Sequence, residues 1–181
     1  MLKDLPHYEC LLECAKHFPD LDPAASGLFM NMLRTADELF AIKSDFLQRH
    51  NTSNGRFTVL MLLSAAGPAE GECAPPRSPA ALAEMAGVTR ATMTGLIDTL
   101  ERDGFVRREA DPHDRRAMLV HLTTQGEAFT RELLPGYFRQ VTAIMAPLQR
   151  SEQEELMRLL MKVRRGIATA SQVEAAETSS V

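Results

Sequence analysis

The stretch SPAALAEMAGVTRATMTGLIDTLERDGFVRREADPHDRRAMLVHLTTQG, residues 78–126, constrains this chain more than any other. Two short helical patterns meet at Gly87, and two strand-like runs follow around an arginine-rich tip. Ser78-Pro79 opens the first helix, because the serine hydroxyl accepts from free backbone N–H groups and proline in the first turn has none to satisfy. Leu82, Met85 and Ala86 supply its apolar face, and Gly87 stops it where a left-handed residue is needed. Thr89 caps the second helix. Met93, Leu96, Ile97 and Leu100 share one sector at about 100° per residue, so they face the core. The opposite sector holds Ala91, Thr94, Gly95, Asp98 and Arg102, and Asp103-Gly104 ends the helix.

Residues 105–110 and 117–122 read as strands around the loop DPHDRR, in which Asp-Pro signals a turn. Arginines at a hairpin tip bury nothing. Arg115 and Arg116 suit phosphates or a narrow minor groove, where guanidinium forks meet concentrated negative potential. His113 is placed for phosphate, and Asp114 can hold one arginine through a charge-assisted hydrogen bond. A helix pair of this kind lays its second helix in the DNA major groove while the hairpin reaches the flanking backbone. Thr89, Arg90, Ala91, Thr92, Thr94 and Gly95 are the DNA-contacting candidates on that helix, whose first turns are small and polar with no acid before Asp98.

Three pieces, the run LIDTLERDGFVRR, the tip DPHDRR and LTTQG opening the next helix, resemble the MarR family of winged helix–turn–helix transcription regulators. The resemblance covers roughly residues 25–168. It implies a homodimer built from first and last helices and bound to a pseudo-palindromic operator in double-stranded DNA. It also implies a repressor released by a small, often phenolic, ligand or by cysteine oxidation. Relatives often carry arginine where this chain has Gly95, which leaves the base contacts open but not the docking mode.

The fold class expected is therefore mainly α with a small β-wing (α+β): a winged helix–turn–helix lobe with N- and C-terminal helical dimerisation arms. Residues 1–24 form a helical extension, 25–54 a dimerisation helix, 55–122 the DNA-binding lobe, 123–168 the C-terminal dimerisation helices, and 169–181 a disordered tail. Leu28, Phe29, Met32, Leu33, Ala36, Leu39, Phe40, Phe46 and Leu47 make a broad stripe at helical spacing. The loop at 67–77 offers one short strand beside the wing. Thr124 with Glu127, and Ser151 with Glu154, read as capping boxes, and Pro135-Gly136 is expected to kink or interrupt the helix between them. Such stripes bury themselves by pairing, and a twofold dimer presents two recognition helices about 34 Å apart. Arg158, Lys162, Arg164 and Arg165 read as surface charge near the end of the last helix.

The 181 residues, 45% hydrophobic and 24% charged, suffice for a real core. No run reaches the length of a membrane span, MLKDLPHYEC lacks the apolar core of a signal peptide, and three cysteines form no disulfide framework. A cytoplasmic protein with no membrane partner is expected. Net charge is −4, and residues 77–131 carry eight basic and eight acidic side chains. DNA affinity must then rest on local arrangement rather than total charge. That balance favours one alternative, a winged-helix interaction module that binds no DNA.

His7, Cys10, Cys14 and His17 are spaced three, four and three apart, so they share a helix face. His7 and His17 lie about 15 Å apart along the axis, too far for one closed site. Three readings stand: small core residues beside a packing face, a thiol sensor, or a metal site using an adjacent pair. In relatives the ligand pocket lies between the arms and the DNA-binding lobe. Carried over, the resemblance implies Phe29, Leu33, Phe57, Met61 and Phe129 as apolar lining, with Arg34, His50 and Arg56 as anion partners. Each also reads as an ordinary core or surface residue. There is no Gly-rich phosphate loop, nucleophile elbow or HExxH, and His50, His113 and His121 are isolated, so neither enzyme activity nor a cofactor is expected.

Overall fold

The computed structural model describes residues 7–64, 76–112 and 117–178. Chain order is α1 (Tyr8–Ala15), α2 (Pro23–Arg49), α3 (Asn54–Ser64), α4 (Pro79–Ala86), α5 (Arg90–Arg102), β1 (Val106–Ala110), β2 (Met118–Leu122), α6 (Thr124–Met145) and α7 (Arg150–Thr178). The chain divides into two compact units, Met1–Leu133 and Leu134–Val181.

In the first unit, the core lies where α3, α4, α5 and the two strands converge. Val59, Leu60, Leu63, Leu82, Ala83, Met93, Ile97, Leu100, Val106 and Val120 form one buried cluster. The recognition-helix stripe behaves as its spacing predicts: Met93, Ile97 and Leu100 are fully buried and Leu96 packs at the edge. The face of α4 differs from expectation. Leu82 and Ala83 are buried, whereas Met85 is 49% exposed. At about 100° per residue the sector covered by Leu82 and Ala83 runs away from Met85, which falls on its solvent side. Gly87 caps α4 at φ 65°, the left-handed conformation that a Cβ resists.

β1 and β2 pair antiparallel, with Arg107 opposite His121 and Arg108 opposite Val120. The strand expected beside the wing appears as a bridge at Arg77, which exchanges backbone hydrogen bonds with Val120 at 3.3 and 2.9 Å. The Arg77 Nε also donates to the Leu62 carbonyl at 3.3 Å, tying this edge to α3. Where the wing hands over to α6, Gly126 is indispensable: a Cβ there would stand 2.0 Å from the Phe105 carbonyl oxygen.

Both expected capping boxes are displaced. Thr123, not Thr124, accepts from the Gly126 N–H at 3.0 Å while its hydroxyl donates to the Gly104 carbonyl at 2.6 Å. That second bond, which only Thr123 makes, selects it as the cap. In the second unit, Glu152 accepts from the Gln149 N–H at 2.7 Å, so α7 starts one residue before Ser151. Gln153 donates to the carbonyls of Met145 and Leu148, closing the turn between α6 and α7.

Pro135 does not interrupt α6, which is assigned as continuous helix through it. Proline removes the hydrogen bond to the carbonyl four residues back, and both Pro135 and Arg131 are exposed, so solvent can satisfy that group. The tail expected to be disordered from residue 169 is instead helical as far as Thr178. Alanines 168, 170, 175 and 176, with no Gly or Pro after Gly166, supply intrinsic helix propensity where there is little to bury.

Candidate nucleic-acid interface

Thr89 is the N-cap of α5, and its hydroxyl accepts from the Thr92 N–H at 3.1 Å. Thr89 and Thr92 hydroxyls meet at 2.9 Å, and the Thr94 hydroxyl donates to the Arg90 carbonyl at 2.9 Å. These threonines therefore lie along the helix rather than projecting from it. Arg90, Ala91, Thr92, Thr94 and Gly95 are all exposed. Around Gly95, no heavy atom lies within 4 Å of where a Cβ would stand. The N-terminal half of α5 is thus a low surface with one cation, Arg90, which makes no ion pair among the described residues.

The two acids of the same helix share one arginine from the neighbouring strand. Arg108 on β1 donates to Asp98 at 2.5 Å and to Glu101 at 2.5 Å, and the Arg108 N–H donates to Glu101 at 2.9 Å. Burial alone would lower the Arg108 pKa, but its hydrogen bonds to and attraction by Asp98 and Glu101 hold it above its ordinary value. Asp103, at the C-cap, is gripped by Arg56 at 2.7 Å and Arg102 at 3.3 Å. Partial burial pushes the Asp103 carboxyl up, yet Arg102 and Arg56 together hold it below its ordinary value.

Arg108 has a second consequence. It fastens the wing to the recognition helix through three hydrogen bonds, fixing the direction in which the hairpin leaves α5. Arg108 is not among the residues that the sequence singles out for the site. The signal was present: Glu101 and Arg108 flank the Asp103-Gly104 reversal, which folds them onto each other. On the outer face of the hairpin Arg107 pairs with Glu109, holding that carboxyl low, and His121 Nε2 lies 3.5 Å from it.

The hairpin is closed toward its tip by the Asp111 N–H donating to the Ala117 carbonyl at 3.0 Å. His113, Asp114, Arg115 and Arg116 lie outside the described residues.

The residues implied for a ligand pocket have mixed placements. Phe57 is 3% exposed and belongs to the interior, and Phe129 stacks on Phe105 at 4.8 Å against the lobe core. Arg56 pairs with Asp103 and lies over the Phe105 ring. Arg34 pairs with Glu38 at 2.5 Å, and the His50 Nδ1 lies 2.8 Å from the Phe46 carbonyl oxygen. Met61 is half-buried, while Phe29 and Leu33 remain exposed on α2.

In the single chain the N-terminal constellation lies open to solvent. α1 buries Leu11 (7% exposed) against α2, where a Cβ on Gly27 would sit 3.6 Å from the leucine. Cys10 and Cys14 are exposed free thiols, and His7 and His17 are exposed as well. Among the described residues, no three His, Cys, Asp or Glu side chains gather as a metal ion requires. Nor, among those residues, is any helix long and apolar enough to cross a membrane.

Comparison with known proteins bears on this arrangement directly. The MarR family profile matches residues 52–118, the span from the turn before α3 to the first residue of β2. The transcriptional repressor YetL of Bacillus subtilis (strain 168) is 33% identical over 159 residues, which are 88% of this chain and 92% of YetL. Two solved structures share the fold below the identity at which function can be carried across. MepR of S. aureus, solved with DNA, superposes with a TM-score of 0.64 at 21% identity over 78% of this chain and 96% of that one. BpsR of Bordetella bronchiseptica, whose DNA binding is regulated by 6-hydroxynicotinic acid, gives 0.62 at 23% identity over 76% and 98%. Similarity to a repressor along nearly the whole of both chains, with the helix pair and hairpin built as described, places this chain in the MarR family of transcriptional regulators.

Proposed function

We propose that this regulator is a homodimeric repressor that grips a pseudo-palindromic operator and lets go when a small, aromatic or phenolic, ligand binds. The observation that carries the DNA-binding part is the asymmetry of α5. Its N-terminal half is small, exposed and cationic, whereas Asp98, Glu101 and Asp103 in its C-terminal half are each held by an arginine. Thr89, Arg90, Ala91, Thr92, Thr94 and Gly95 meet base edges and phosphates at the helix start. Arg115 and Arg116, with His113 and oriented by Asp114, reach the flanking minor groove or backbone.

Dimerisation is supported by the apolar side chains left open along α2, among them Leu28, Phe29, Leu33, Leu39 and Phe40. Two such copies related by a twofold axis would set their recognition helices about 34 Å apart, one turn of DNA. Ligand release is supported by BpsR, whose DNA binding responds to a hydroxylated aromatic acid. A ligand that alters the separation of the two recognition helices defeats binding, because both half-sites must be met together. Phe29, Leu33 and Met61 are the apolar candidates for its pocket.

The test is a fluorescence-anisotropy titration against DNA from the protein's own upstream region, at several salt concentrations, with scrambled DNA as control. Tight binding that weakens steeply with salt and exceeds the control supports the reading. If both DNAs bind equally weakly, and a genome-wide binding selection also enriches no sequence, the reading fails.

A further inference from the structure

We propose that Cys10 and Cys14 form a two-thiolate site for a soft, two-coordinate cation on the outer face of α1. The two residues stand four apart within α1 (Tyr8–Ala15), and both are exposed free thiols. Leu11 anchors the helix to α2 from the adjoining sector, and both thiols stay exposed beside it. Residues four apart lie one above the other, with Cβ atoms about 5–6 Å apart.

That spacing decides what the pair can hold. A disulfide requires Cβ atoms about 3.5–4.5 Å apart, so oxidation within the helix would have to distort α1. An ion bound to both sulfurs at about 2.3 Å each lets them stand up to about 4.6 Å apart, and side-chain rotation alone can meet that. Zinc is a poor occupant, since it takes four ligands and no group of three candidate ligands is gathered among the described residues. His7 precedes α1 and His17 follows its end, and neither is gathered with both thiols among the described residues. Neither can close a four-ligand shell with the other. Thiolates select thiophilic closed-shell ions, and two sulfurs alone satisfy a cuprous or mercuric ion. Binding forms two sulfur–metal bonds and releases the two thiol protons to solvent.

The experiment uses the full chain carrying Cys73→Ser, so that the third thiol of the sequence cannot contribute. Mercuric ion alone is titrated in the presence of a simple monothiol competitor, read by thiolate-to-metal absorption and native mass. The expected result is one ion per chain, held about a hundredfold more tightly than in the same chain with Cys10→Ser or Cys14→Ser, because the second thiolate is supplied at high effective concentration. Circular dichroism checks that the serine variants keep their helix. Equal retention by either single-cysteine variant, or an ion bridging two chains, overturns the proposal.

Discussion

The lobe and the outer helices spend their apolar residues in opposite ways. In the lobe, Ile97, Leu100, Val106 and Val120 are at most 1% exposed, each covered by neighbours from the same chain. On α2, Leu28, Phe29 and Phe40 are each at least 60% exposed, and on α7 Met157 and Ile167 are too. Burial of apolar area is the main favourable term in folding. The lobe achieves it within the single chain, whereas the outer helices leave apolar area open that the proposed dimer would cover. The same division separates the two kinds of ion pair. The lobe has pairs that join different elements, Arg108 on β1 to α5 and Arg56 on α3 to the end of α5. Those of α7, Arg150–Glu154 and Arg158–Glu155, stay within one helix.

The largest effect should come from the lobe core. Ile97→Ala removes a fully buried side chain and leaves a cavity, so unfolding free energy should drop by about 2–5 kcal/mol. Chemical denaturation checks this, and the loss should not depend on protein concentration. The matching change in the outer helices is Leu156→Glu with Leu160→Glu on α7, both about two-fifths exposed in the single chain. Here the helix should persist while the dimer weakens at least a hundredfold, about 2.7 kcal/mol or more, by sedimentation. A dimer unmoved by that pair would dissolve the comparison, since the stripe would then be ordinary surface.

Arg108→Met tests the ion pairs that cross elements. It leaves Asp98 and Glu101 uncompensated beside the strand, and we expect a loss of about 1–3 kcal/mol of stability. Operator affinity should fall as well, because the wing is no longer fixed against α5 and the two acids now face the DNA. Arg158→Met on α7 should leave the denaturation midpoint almost unmoved, as exposed pairs within one helix contribute little.

How much of this was legible beforehand follows the same line. Where a residue's partner is close in sequence, the pattern sufficed: the Ser78 and Thr89 caps, the Gly87 stop and the stripe Met93, Ile97, Leu100 all stand as read. Where the deciding partner is distant, it did not. Thr123 caps α6 because its hydroxyl also reaches Gly104, nineteen residues back. Arg56 reads as a surface cation, and only the fold delivers Asp103 to it from the end of α5. Met85 looked apolar and inward because its helix was read without the surface it packs on. Which of the three readings holds for Cys10 and Cys14 depends on a partner that no spacing within the helix supplies, and within the single chain Leu11 is the buried residue of α1.

Gly95 offers a finer test, in which stability and function should move in opposite directions. Glycine inside a helix is destabilising by about 0.5–1 kcal/mol relative to alanine, and nothing near Gly95 requires the missing Cβ. Gly95→Ala should therefore raise the stability of the lobe by about that amount. If the bare backbone is there to let α5 approach the floor of the groove, the same substitution should weaken operator binding. A variant that is more stable and binds DNA as before would leave Gly95 as an accident of the helix and not part of the reading surface.

The smallest effect is a matter of pH. Asp103 sits below its ordinary value of 3.8: burial works against this, and Arg102 and Arg56 prevail. A carboxyl whose folded value is depressed contributes stability that is complete above the unfolded value and is lost as pH falls through the folded one. Wild type should therefore be more stable than Asp103→Asn above the ordinary value of 3.8, and the difference should fade as pH falls through the depressed folded value. Glu155 on α7 is depressed from 4.5 by its hydrogen bond to Arg158 and has the same sign. Its pair lies within one helical turn on the surface, however, so Glu155→Gln should show a much shallower convergence. Denaturation midpoints for both variants across the acid range decide the point. Equal slopes would mean that joining α3 to α5 through Arg56 gives the lobe nothing that a surface pair does not.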